Sequence, residues 1–265
     1  MAGLTRALVS LPPLVLALVV VLPPMVLALG ALRVIRRHVP HDVLSADSGS
    51  TSAVYAMVGV VYAVILGFVI VVVWQQFGDA SAGVQREVSE LGVLLRDAKA
   101  FPQPVREDVT ERIVAYARAV VDEEWATMAK GERSPAALAA YERVWEAYYA
   151  YEPATPQAAA FRDESLGVLT ELSRSRRERV LAARSSVPTL LWVMLVLGGV
   201  VVIGYTLLLS VRNAVLHAVS VAVVTLVVSV ALFIVLTLDH PFTGSLRIDP
   251  YAFQDLVAMW TRRGG

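Results

Sequence analysis

Residues that could do chemistry or hold a ligand fall in five places along the chain. Asp239-His240, followed by Pro241-Phe242, stands directly after a long apolar run. A carboxylate and an imidazole at a membrane edge can hold an ion, or sense pH through the histidine. The plainer role is that Asp239 ends the run and Pro241 stops the helix. His38-x-x-His41-Asp42 offers two imidazoles and a carboxylate, but Pro40 prevents a regular helical face and no third histidine is near, so a surface loop is expected. Glu107-Asp108 with Glu111, and Asp122 with Glu123-Glu124, are paired carboxylates. Acid–base catalysis needs environments that split their pKa values, and Arg106, Arg112 and Arg118 nearby point instead to a solvated, salt-bridged face. Tyr141, Trp145 and Tyr148 recur at helical spacing and fit core packing better than a ligand platform. Trp125 and Met128 are expected in the same core.

Cysteine is absent, which excludes disulfides, thiol catalysis and cysteine metal sites. No phosphate-cradling glycine loop, nucleophile elbow or metalloprotease helix occurs. The expectation is a protein without enzyme activity, cofactor or metal. Lys+Arg and Asp+Glu both number 23, so the net charge is zero and a nucleic-acid partner has no electrostatic footprint.

An apolar pattern competes with these polar candidates. Val61, Ile65, Phe68, Val72 and Gln76 follow one face of a helix at i, i+4, i+7, i+11 and i+15. Copies arranged around an axis would stack this face into apolar rings with a glutamine ring at one end, and apolar constrictions gate ions by dewetting. Otherwise the stripe faces lipid or a neighbouring span. Gly59 and Gly67 on the other flank permit close helix approach.

The elements that position these residues are helices. Hydrophobic residues make up 57% of the chain and the mean hydropathy is +0.62, above ordinary soluble usage. Apolar runs near 8–32, 53–77, 187–209 and 214–238 each reach the roughly 20 residues that a bilayer requires. The first is too long for a signal peptide and is followed by arginines. Pro12-Pro13 and Pro23-Pro24 should kink or break it. The fold class is thus an all-α membrane protein of four transmembrane helices. Residues 1–77 form a first hairpin, 78–186 an extramembrane helical bundle, 187–238 a second hairpin, and 239–265 a tail.

In the insertion, Val84, Val88, Leu91, Leu95 and Ala98 make a 4, 3, 4, 3 seam, the spacing of a coiled coil available for assembly. Pro102 and Pro104 end it. A helix over about Val105–Met128 closes at Gly131. Ser134-Pro135 and Thr155-Pro156 are cap-and-proline starts of two more helices, and the last runs toward Arg184 and joins the third span. In the tail, Phe253, Leu256, Val257 and Trp260 share one face of a short amphipathic helix at about 250–262, suited to the membrane interface or to docking on the bundle. Arginines close to span ends outnumber those of the opposite side on the insertion side. This places the bundle and both termini in the cytoplasm of a multi-pass inner (plasma) membrane protein.

Several motifs together resemble one family: Trp74; Glu87, Leu91 and Arg96 around Val-Gln-Arg-Glu-Val-Ser-Glu-Leu; Tyr116 to Glu124-Trp125 with Met128 and Gly131; and, most specifically, Leu238-Asp239-His240-Pro241-Phe242-Thr243-Gly244. From about Val54 onward the chain resembles bacterial membrane proteins described as bestrophin-like. The resemblance implies a homo-oligomer, typically a pentamer, that conducts small inorganic anions. It implies four spans in the lipid bilayer, a helical cytoplasmic domain between the second and third, and a pore lined by the second, with Ile65, Phe68 and Val72 at its neck. Calcium-responsive bestrophins use an acidic cluster after the fourth span, where this chain has only Asp239, Asp249 and Asp255. The alternative is a non-conducting membrane sensor or scaffold that signals through the bundle.

Overall fold

The computed structural model describes residues 2–40, 48–244 and 246–263. His41 and Asp42, and with them the connector at 41–47, lie outside the described residues. All regular structure among the described residues is helical. The chain divides into two compact units: Met1–Gln75 with Ser186–His240 and Gly244–Leu246, and Gln76–Ser185 with Pro241–Thr243 and Arg247–Gly265.

The first unit carries the apolar spans. Helix α1 covers Ala2–Val9 and helix α2 covers Pro13–His38. The first proline pair breaks the run, since Pro12 caps α2 and Pro13 takes its first position, where a missing N–H costs nothing. Pro23 and Pro24 do not break it; α2 continues through both and on past Leu32. The extension has a use. Arg36 donates to the carbonyls of Val211 (3.0 Å) and Arg212 (3.1 Å) and to His217 Nδ1 (3.2 Å), satisfying orphan carbonyls of a tight turn.

Helix α3, Ser48–Asp97, carries the second span and starts earlier than the apolar run alone predicts. After the bundle come α8, Thr189–Leu208, and α9, Ala214–Leu238, the latter with the bounds expected from sequence. Asn213 starts α9, its side chain accepting from the N–H groups of Val215 and Leu216. All four long helices have the length and apolarity to cross a membrane. Ala28 and Leu32 of α2, Leu207 of α8 and Val221 of α9 form one buried cluster. Close approach in this unit occurs at Gly198–Gly199 rather than at Gly59 or Gly67. A Cβ on Gly198 would lie 2.5 Å from the Tyr62 ring, whereas one on Gly59 or Gly67 would meet nothing within 4 Å.

The second unit is the helical bundle. It contains the end of α3, then α4 (Val105–Ala119), a π-helical turn (Val120–Glu124), α5 (Trp125–Ala129), α6 (Pro135–Ala150), α7 (Pro156–Ala182) and α10 (Tyr251–Arg263). Ser134 Oγ and Thr155 Oγ1 each accept the N–H three residues on, as the cap-and-proline starts require. The single helix expected over 105–128 is therefore interrupted by a π turn. Nor does α7 run into the third span: it ends at Ala182, and α8 begins at Thr189. Pro188 supplies no N–H and disfavours helical backbone at Val187.

The seam on α3 is not left free for assembly. Val84, Leu91 and Leu95 are at most 1% exposed and Val88 packs against the same core, so this stripe is spent on the chain's own bundle. Tyr148 is fully buried there, with Tyr141 and Trp145 packed at its margin. Phe253 and Leu256 of α10 are buried in that core too, so the tail helix docks on the bundle.

Candidate functional site

Within the first unit, α3 buries a narrow edge made of Tyr62, Leu66, Val69 and Val73. Tyr62 reaches furthest, donating its hydroxyl to the Leu195 carbonyl at 3.1 Å. The Val61–Gln76 stripe lies roughly a quarter-turn round the helix from that edge. Val61 (56% exposed), Phe68 (71%) and Val72 (46%) stand clear of the chain, Gln76 is exposed and Ile65 half-buried. Apolar surface of this extent requires lipid or protein to cover it.

The Asp239-His240-Pro241-Phe242 motif serves both units. In the first, Asp239 ends α9 with its N–H on the Val235 carbonyl, as expected. Its carboxylate does more. Oδ1 accepts the Val187 N–H at 2.6 Å and Oδ2 lies 3.4 Å from the Trp192 indole nitrogen. The amide that Pro188 holds out of a helix is thus the one that Asp239 satisfies. His240 Nδ1 is 3.7 Å from Asp239 Oδ2, and its Nε2 is 3.4 Å from Thr5 Oγ1. Gly244 has φ +84° and its Cβ position would lie 2.6 Å from the Val9 carbonyl oxygen, so only glycine fits. In the second unit, Phe242 is 1% exposed with its ring edge-on to Trp125 at 5.6 Å, and Thr243 donates to the Ala129 carbonyl.

The bundle core holds an ion network that the sequence reading missed. Glu124, expected on a solvated face, is fully buried, while Asp122 and Glu123 beside it are not. Arg179 is 1% exposed and bonds Glu87 through Nε (2.6 Å) and Glu124 through Nη2 (2.6 Å). Arg176 takes the other Glu124 oxygen at 2.7 Å. Tyr116 donates to Glu87, and burial pushes its hydroxyl well above the ordinary tyrosine range, so it remains a donor. Burial opposes the charge on Arg179, but Glu87 and Glu124 outweigh it and hold the guanidinium protonated. The Trp125 and Phe253 rings each lie 5.6 Å from its centre. A periodic signal was present. Glu87 sits between Val84 and Leu91 on the seam; Glu124 follows Ile113, Tyr116 and Val120 at helical spacing; Arg179 follows Leu169 and Leu172. Glu107, Asp108 and Glu111 lie on the exposed face expected, with Arg112 on Asp108 at 2.8 Å and Gln103 donating to Glu107.

Comparison with known proteins agrees with this architecture. A family model, the Bestrophin-like domain, matches residues 22–253. Two crystal structures of a bacterial Bestrophin homolog from Klebsiella pneumoniae, each carrying one mutation, share the fold. One has a TM-score of 0.71 at 14% identity over 92% of this chain and 98% of that one; the other has 0.59 at 16% over 90% and 96%. No curated protein sequence matches. Four apolar helices, a bundle inserted between the second and third, and a family match across most of the length lead to one conclusion: this chain belongs to the bestrophin-like family of membrane proteins.

Proposed function

We propose that the protein assembles as a homo-oligomeric ring, a pentamer by analogy with bestrophins, that conducts small inorganic anions across the inner membrane. The second-span stripe Val61, Ile65, Phe68, Val72 and Gln76 lines the pore, and the bundle lies on the cytoplasmic side. The observation that carries this reading is the exposure of the stripe: large apolar side chains point away from the chain's own spans along the second span, which the resemblance to bestrophins makes the pore wall. Stacked rings of Phe68 and Ile65 make a neck that wets only when widened. The buried carboxylates Glu87, Glu124 and Asp239 are held by arginines, a backbone amide and an indole.

The test is chloride efflux from liposomes containing the purified protein, with subunit number from native mass spectrometry in detergent. A ring with flux that rises in Phe68→Ala and Ile65→Ala is expected. A monomer or dimer without flux would sink the channel and favour the non-conducting sensor or scaffold. The seam that such a dimer would use, Val84 to Ala98, already packs within one chain: Val84, Leu91, Leu95 and Ala98 are buried and Val88 packs against the same core.

A further inference from the structure

We propose that the bundle holds a binding site for a phosphate-class anion, either inorganic phosphate or a phosphomonoester. The site is a recess of about 190 Å³ lined by Arg133 of the loop before α6, Tyr141 of α6, and Ser173, Arg176, Arg177 and Val180 of α7.

Three guanidinium groups and no carboxylate line it. Two carboxylates behind it, Glu87 and Glu124, are balanced by Arg179 and Arg176. Arg133 and Arg177 are exposed, and neither has an ion-pair partner among the described residues. They leave two positive charges uncompensated at the mouth, which suits a dianion. Arg176 is fixed by Glu124 on one side and by the Tyr141 ring, 5.3 Å from its guanidinium carbon, on the other. Its Nε is buried and has no hydrogen-bond partner. A charged donor buried without an acceptor is costly, and an incoming oxygen would relieve it.

The hydroxyls of the recess are already committed in a chain: Trp145 Nε1 donates to Tyr141, Tyr141 is bonded to Ser173, and Ser173 donates to the Leu169 carbonyl. Recognition therefore falls to the guanidinium groups, whose planar forks match phosphate oxygens. The volume is below the roughly 300–1,000 Å³ of sites for larger ligands. This limits the occupant to a phosphate with at most a small ester group. The site does not rest on conduction: flux tests the channel, and ligand response tests the recess.

The experiment uses the full-length protein in phosphatidylcholine nanodiscs. It is titrated with inorganic phosphate or with glycerol phosphate at an ionic strength held constant with chloride. Thermal midpoint and tryptophan emission are read together, the latter because Trp145 is bonded to Tyr141. A saturable rise in midpoint is expected, with affinity weakened on the order of tenfold in Arg177→Ala and further in Arg133→Ala/Arg177→Ala. Both positions are exposed, so the variants should keep the parent circular dichroism. Equal response to both probes identifies phosphate itself as sufficient; response to the ester alone identifies an organic ligand. A rise that the double variant retains, or that chloride reproduces, overturns the site. So does a double variant that loses its oligomeric state while the parent ignores both probes, which would assign the recess to a carboxylate of a second copy.

Discussion

In the bundle, the most deeply buried polar groups are full charges: Arg179 with Glu87 and Glu124, drawn from α3, α7 and the π turn. In the membrane unit one carboxylate, Asp239, is buried on a backbone amide and an indole, and the other deeply buried polar groups are hydroxyls and imidazoles. Thr206 and Thr225 donate to carbonyls four residues back in their own helices, and His217 bonds at both ring nitrogens. A hydroxyl bonded to its own helix says nothing about which helix lies next to it. The bundle's buried carboxylates take their cations from another helix, and so specify their neighbour. The bundle therefore fixes its pairing with charge. The membrane unit fixes much of its pairing with shape, as where Gly198 and Gly199 admit the Tyr62 ring. Lipid explains the division: an unpaired charge costs far more there than in a bundle within reach of water.

The contrast is sharpest at Arg179. Arg179→Met should leave buried Glu87 without a cation and Glu124 with Arg176 alone, and lower stability by about 3–5 kcal/mol, read as a fall in the thermal midpoint of the purified full-length protein. Adding Glu87→Gln and Glu124→Gln should recover much of the loss. A triple variant as unstable as the single would mean that the charges stabilise the bundle outright rather than select its partners.

The shape side predicts a smaller effect. Gly198→Ala drives a methyl into the Tyr62 ring and should cost about 1–3 kcal/mol. Gly67→Ala meets nothing within the chain and should stay within about 0.5 kcal/mol. Equal losses at both would remove the argument that Gly198 is the contact point. A Gly67→Ala protein that keeps its fold but falls to monomers would place Gly67 against a second copy.

Tyr62→Phe keeps the ring and removes only the bond to Leu195, for an expected loss of about 1 kcal/mol by the same thermal measurement. The smallest change should come from Arg86→Ala. Its pair with Glu178 is about half exposed on both sides and should contribute no more than about 0.5 kcal/mol at ordinary salt. A large loss there would show that the bundle depends on surface charge as well as buried charge.

Much of this architecture was legible in the chain. Span length and the absence of charge pointed to four helices long and apolar enough to cross a membrane, and Asn213 and Asp239 punctuate α9. The cap-and-proline pairs marked α6 and α7 for the same local reason. The exposed stripe of α3 was visible as a period; what covers it is a question of assembly. Residues were misjudged where local chemistry and periodicity disagreed. Glu124 has acidic neighbours that belong on a surface, yet it sits on the apolar face of its helix. Deciding between those signals required Arg179, 55 residues away. The same holds for Asp239, whose partner amide at Val187 is 52 residues distant and free only because of Pro188. Hydrogen-bonded helices, caps and apolar periods arise from neighbours within a turn or two, so composition and spacing suffice to find them. A buried charge is tolerated only beside the counter-charge or hydrogen-bond donors that satisfy it, and which distant segment supplies them is settled when the chain packs.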